Sequence, residues 1–202
     1  MNLPTGTVTF LFTDIEGSTQ LWERYTETMR FAFTRHDELA ASLIHKYEGR
    51  LVKSQGEGDS LFAVFARATD AVSCACTLQQ IYLSETWPMK PPVKVRMALH
   101  TGEADLRDGD YYGSAVNRCS RLRVTAHGGQ VLLSNITQDL TRDNLPPSAG
   151  LRSLGEHRLR DLSRPEHVYQ LLHPDLPSEF PPLKSLDNSD LPNNLPQQVT
   201  SF

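Results

Sequence analysis

Two short apolar runs, Arg50–Gln55 and Ser60–Phe65, are joined by Gly56-Glu57-Gly58-Asp59. Glycine takes positive φ without steric penalty, so this stretch predicts a β-hairpin and commits the chain to antiparallel pairing. Thr7–Thr13, rich in β-branched and aromatic residues, reads as a buried strand. Val93, Val95, Met97 and Leu99 alternate with Lys94, Arg96, Ala98 and His100, the period of a strand with one face buried. Gln130–Ser134 reads as a further strand, and two more fall around Leu151–Arg160 and Val168–Leu172.

Between these runs the period lengthens. Glu16-Gly17-Ser18-Thr19 opens a helical stretch in which Trp22, Tyr25, Met29, Phe33, Leu39, Leu43 and Ile44 recur at three- and four-residue spacing, and Gly49 closes it. Its length predicts a break near Thr34–Asp37, giving two consecutive helices. Ala68–Tyr82 and Gly113–Ala126 are helical, the latter with Val116, Cys119 and Leu122 on one stripe. The order predicts an α+β domain of the ferredoxin-like kind, with helices packed on a mostly antiparallel sheet and the first strand beside the hairpin. The domain is expected over residues 5–172. From Pro174 the composition turns to proline with Asn and Ser, which predicts a Pro/Asn-rich extended linker or tail over 173–202.

Composition excludes several classes. With 39% hydrophobic and 22% charged residues the chain is an ordinary globular protein, and a net charge of −4 argues against a nucleic-acid binder working by bulk electrostatics. The apolar run Val8–Phe12 is too short for a signal peptide or a membrane span, so a cytoplasmic protein with no membrane partner is expected. The three cysteines, Cys74, Cys76 and Cys119, lack CxxC spacing and read as small buried apolar residues in a reducing cytosol.

Asp14 follows the first strand and precedes the Gly17-Ser18-Thr19 helix start. Its carboxylate can reach a divalent cation while the free N–H groups of Gly17, Ser18 and Thr19 face phosphate oxygens, or it can cap the helix. Asp59, at the end of the hairpin turn, is either a turn residue or a second hard ligand. If strand and hairpin are neighbours the two acids converge, and a shared divalent cation resolves their repulsion. Asn117 and Arg121 stand at i, i+4. They supply a neutral and a cationic donor suited to a transferring phosphoryl group, or they belong to a solvated helix face.

Phe12-Thr-Asp14-Ile-Glu-Gly-Ser-Thr19, Gln55-Gly-Glu-Gly-Asp59-Ser-Leu-Phe-Ala-Val-Phe65, Arg96-Met-Ala-Leu-His-Thr-Gly-Glu103 and Asp110-Tyr-Tyr-Gly-Ser-Ala-Val-Asn117-Arg-Cys-Ser-Arg121 resemble, in order and spacing, the class III nucleotidyl cyclase catalytic domain. The resemblance implies that Asp14, Asp59 and the Ile15 carbonyl bind two Mg²⁺ or Mn²⁺ ions. Asn117 would orient the ribose, Arg121 would stabilise the transition state, and Arg160 would bind phosphate in place of a lysine. It also implies a head-to-tail homodimer with sites at the interface, making cyclic AMP from ATP. Gln55 and Asp110 stand at the base-reading positions. Gln55 is neither the lysine of adenylate cyclases nor the glutamate of guanylate cyclases, and Asp110 matches the adenine pattern, so ATP is favoured with GTP as the alternative. The other alternative is a catalytically weak nucleotide-sensing domain. Leu191–Phe202 resembles the stretch before an ATPase region in multidomain bacterial regulators, which implies such a regulatory partner in a longer protein. His100 is expected to make a structural hydrogen bond to backbone.

Overall fold

The computed structural model describes residues 3–52 and 60–186. Gln55 and Asp59, with the rest of the hairpin turn and the Leu191–Phe202 stretch, lie outside the described residues. The elements run β1 (Thr7–Ile15), α1 (Ser18–Arg24), α2 (Thr26–Lys46), β2 (Arg50–Val52), β3 (Ser60–Phe65), α3 (Ala68–Ser84), β4 (Val95–Glu103), β5 (Asp105–Arg107), β6 (Asp110–Tyr112), α4 (Ser114–Thr125), β7 (Val131–Ser134), α5 (Asn135–Thr141), β8 (Gly150–His157) and β9 (Glu166–Leu172).

The main sheet has the order β2-β3-β1-β4-β7-β9-β8, with β5 and β6 forming a separate hairpin. Within the main sheet β4–β7 is parallel and the other pairings are antiparallel, which gives the expected α+β architecture. β2 and β3 pair as the hairpin signal requires, Val52 opposite Phe62. β1 lies between β3 and β4 and is buried from Val8 to Ile15. Its alternate residues feed two cores. Leu11 and Ile15 join Met97, Leu99, Ile44, Val72 and Leu78 on the α2/α3 side. Val8, Phe10 and Phe12 join Phe62, Ala98, Cys119 and Leu122 on the α4 side. A strand with helices over both faces reads as a near-continuous apolar run, as Val8–Phe12 does.

The break between the first helices falls at Tyr25 (φ −134°, ψ 41°), not near Thr34–Asp37. α2 passes through the latter stretch unbroken, with Thr34 donating its hydroxyl to the Arg30 carbonyl (3.0 Å). The fully buried His36 ring also stacks on Tyr82 there, with centroids 4.9 Å apart. Gly49 ends the helical region through close approach: a Cβ there would lie 2.4 Å from the Phe65 ring. α5 and the β5–β6 hairpin were not foreseen, being too short for a clear period.

Residues 173–186 contain no strand and form an extended strap along the body. Leu176 and Leu183 are buried, the Lys184 N–H donates to the Thr125 carbonyl (3.0 Å), and Gln170 donates to the Ser178 carbonyl (2.8 Å). Among the described residues no helix is long and apolar enough to cross a membrane.

Candidate active site

Asp14 is the penultimate residue of β1 and projects on the α4 side of the sheet, in register with Ser60 on β3 and Arg96 on β4. It does not cap α1, whose N-cap is Gly17 in the left-handed region (φ 70°) with no side-chain cap. Asp14 is only 7% exposed and its carboxylate is ion-paired. Arg96 grips it with two donors, Nε on Oδ1 and Nη2 on Oδ2 (2.8 Å). Arg123 Nε stands 3.5 Å from Oδ2. Arg123 is fixed by a hydrogen bond from Nη1 to Ser60 Oγ and lies 5.8 Å over the Phe12 ring. Ser60 in turn donates to the Thr13 carbonyl (3.2 Å). The next residue before Ser60 in the sequence is Asp59.

Ile15 follows on β1, and the Glu16 N–H is held by the Lys94 carbonyl (2.9 Å). Burial pushes the Glu16 carboxyl up. The Lys184 hydrogen bond (2.6 Å), a Gly128 N–H and the charges of Lys184 and His127 outweigh it and hold the group below the usual carboxylate range. The strap thus reaches, through Lys184, the residue between Ile15 and Gly17.

α4 presents two faces. Ala115, Cys119, Leu122 and Arg123 turn inward, and Cys119 Sγ lies 3.3 Å from the Ala98 carbonyl. Asn117 and Arg121 are on the exposed side. Arg121 pairs with Asp161 (2.8 Å), which brings the turn carrying the exposed Arg160 to α4. Asp110, on β6, accepts a hydrogen bond from the Tyr111 N–H (2.8 Å). The described site residues other than Asp110 therefore form two groups: Asp14, Ile15, Gly17, Ser18 and Thr19 in one, and Asn117, Arg121 and Arg160 in the other. Among the described residues no hydrogen bond or ion pair joins the groups within one chain.

His100 bonds a side chain rather than backbone: Nδ1 lies 2.8 Å from Ser134 Oγ, at one end of a buried chain through Thr137, Thr101 and Thr9. Burial, with the nearby Arg118 charge, lowers its pKa to about 4. The folded protein therefore refuses a proton that the unfolded chain accepts below about 6.5, and stability falls as pH drops from 6.5 towards 4. The integrated effect is about 3 kcal/mol. In urea unfolding across that range, His100→Asn is expected to flatten the slope. An unchanged slope would remove His100 from this role. The three cysteines are buried, with thiols pushed up to between about 11 and about 12 by burial, which makes them inert.

Arg96 and Arg123 were missed as site residues, although each carried a signal. Arg96 shares the polar alternation of β4 with His100, and Arg123 sits four residues after Cys119, on the buried stripe of α4.

The profile of the adenylate and guanylate cyclase catalytic domain matches residues 2–172. An uncharacterized protein of Mycobacterium tuberculosis is 46% identical over 199 residues, covering 98% of this chain and 67% of its own length. An adenylate cyclase of Podospora anserina is 32% identical over 223 residues, covering 83% of this chain and 10% of that protein. Among solved structures, an adenylate cyclase from Trypanosoma brucei, described in its monomeric state, superposes with a TM-score of 0.78 at 29% identity, covering 89% of this chain and 94% of that one. The adenylyl cyclase CyaB of Pseudomonas aeruginosa gives 0.71 at 26% identity, covering 84% and 96%. The match over nearly the whole folded region and the shared fold agree: the chain belongs to the class III adenylate and guanylate cyclase catalytic domains.

Proposed function

We propose that the protein is a divalent-metal-dependent adenylate cyclase that works in the cytoplasm as a head-to-tail homodimer, converting ATP to cyclic AMP and pyrophosphate. The observation that carries this reading is the division of the site. Asp14 faces inward at the end of β1, whereas Asn117 and Arg121 of the same chain face solvent on α4. A second copy docked head to tail would set its α4 against the C-terminal end of the first copy's β1 and complete two equivalent sites.

The donor chemistry fits hard cations: a carboxylate at Asp14, the adjacent Ile15 carbonyl and the carboxylate of Asp59. Two Mg²⁺ or Mn²⁺ ions held there would acidify the ribose 3′-hydroxyl and neutralise charge on the phosphates. The 3′-oxygen loses its proton to solvent water and bonds to the α-phosphorus, and the bond from that phosphorus to the bridging oxygen breaks, releasing pyrophosphate. Asn117 of the partner chain orients the ribose, and Arg121 of the partner chain donates to the oxygens that gain charge. Arg160, carried beside Arg121, holds the triphosphate, and the uncapped N–H groups at Gly17–Thr19 face it. Gln55 and Asp110 read the base. Asp110 accepts from the adenine amine and repels the guanine carbonyl oxygen, which favours ATP.

The alternative is a nucleotide-sensing domain with little turnover, a reading favoured by the pairing of Asp14 with Arg96 and Arg123. Incubation of purified protein with ATP or GTP and Mn²⁺, with cyclic product measured by chromatography, separates the two. Cyclic AMP formation lost in Asp59→Ala supports the enzyme, and no cyclic product from either nucleotide leaves the sensor. Gln55→Lys is expected to raise the preference for ATP over GTP. An unchanged ratio would remove Gln55 from base reading.

A further inference from the structure

The turn from β1 into α1 carries the Ile15 carbonyl and the Gly17–Thr19 N–H groups. Ile15 is buried, but none of the seven residues of α1 is, and its N-cap Gly17 supplies no side-chain cap. Beyond Ile15 the turn is held through Glu16, at both ends of that residue. The Glu16 N–H donates to the Lys94 carbonyl (2.9 Å). In a planar trans peptide the N–H points opposite to the preceding C=O, so this bond turns the Ile15 carbonyl away from β4, towards the β3 side. The Glu16 carboxylate accepts from the Gly128 N–H and from the Lys184 ammonium (2.6 Å). Residue 128 is a glycine for good reason: a Cβ there would lie 2.7 Å from Glu16 Oε2 and 2.6 Å from Lys94 Cβ. Lys184 is itself placed by the strap. Its N–H bonds the Thr125 carbonyl (3.0 Å), the Pro182 carbonyl lies 3.0 Å from His127 Nε2, and Ser185 Oγ lies 3.0 Å from His157 Nδ1. An ammonium on a fixed backbone loses less freedom on pairing than one on a loose chain.

On the reading of Asp14 and Ile15 as metal ligands, we propose that Lys184 is a positioning residue of the metal site, acting through Glu16. The ion pair fixes the side chain of the residue between the Ile15 carbonyl and the left-handed Gly17 (φ 70°), so the strap holds this turn in its metal-binding shape. Lys184 itself takes no part in ligation. The effect has a ceiling, because a contact biases binding by no more than its own free energy. The Lys184 and Glu16 side chains are 45% and 32% exposed. Breaking such a pair should weaken metal binding about two- to fivefold.

The test measures binding of Mn²⁺ alone, without nucleotide, by the loss of the free-ion electron paramagnetic resonance signal. Wild type is compared with Lys184→Met, Lys184→Arg, Glu16→Gln, the double variant Glu16→Gln/Lys184→Met, Arg152→Ala and Asp14→Asn, with circular dichroism verifying the fold. Lys184→Met and Glu16→Gln should each weaken binding about two- to fivefold, and the double variant no further, since all three lose the same contact. Lys184→Arg should bind as wild type does. So should Arg152→Ala, which removes strap contacts at Ser178 and Glu179 but none at Lys184. Tighter binding by Lys184→Met, weaker binding by Glu16→Gln and wild-type binding by the double variant would reveal only the field of two charges and overturn the positioning role. Unchanged binding in folded Lys184→Met, with binding lost in Asp14→Asn, would overturn it and leave the metal site standing. Equal losses in Arg152→Ala and Lys184→Met would make the strap a general support and overturn it as well. Equal binding by Asp14→Asn and wild type, or no binding by wild type, would remove the metal reading and the role of Lys184 with it.

Discussion

Replacing Arg121 with alanine is expected to lower cyclase turnover about 10²–10³-fold, the effect of removing one donor aimed at developing charge. Unfolding free energy should change by less than about 0.5 kcal/mol, as for other surface substitutions. The second expectation follows from placement. The Arg121 side chain is 43% exposed, and its partner Asp161 is 62% exposed, so their pairing contributes little to folding. A variant with normal urea unfolding and near-normal turnover of ATP would deny Arg121 a part in the chemistry. Parallel loss of folding and turnover would make it a structural residue instead.

Asp14→Asn should behave in the opposite manner, losing stability and turnover together. Removing one partner of a buried ion pair costs about 3–5 kcal/mol. Arg96 and Arg123 both direct positive charge at this carboxylate, and their side chains are only 19% and 6% exposed. For a domain of this length each kcal/mol lowers the melting temperature by about 2–4 °C, so a fall of roughly 10 °C is expected by calorimetry. No melting shift would mean that the pairing of Asp14 with Arg96 and Arg123 contributes little to folding. On the proposed function the same substitution removes the anionic charge of a metal ligand, so added Mn²⁺ should not restore turnover.

Much of the architecture was legible because its periods are strong. β1 and β4 carry long apolar or alternating runs, and β2 pairs antiparallel with β3 as the hairpin signal predicts. The helix break was misplaced because period alone does not reveal how Thr34 satisfies its hydroxyl within a helix or how His36 packs on Tyr82. The motif residues were legible as types in a recurring order. Their environment was not. The pairing of Asp14 with Arg96 depends on strand register, and that with Arg123 depends on which face α4 turns inward. Both are tertiary facts that single residues do not announce. The strap was read as extended, yet its anchoring on Glu16 through Lys184 joins positions 168 residues apart, a separation invisible to any local pattern.

The most direct measurement is made on a mixture. Asp59→Ala damages the metal half of a site, and Arg121→Ala damages the half contributed by α4, so each variant alone should be inactive. If the halves come from different chains, an equimolar mixture forms mixed dimers with one intact site, and activity should return to about a quarter of the wild-type value. Two inactive variants that stay inactive when mixed, while still exchanging subunits, would contradict a site shared between two chains.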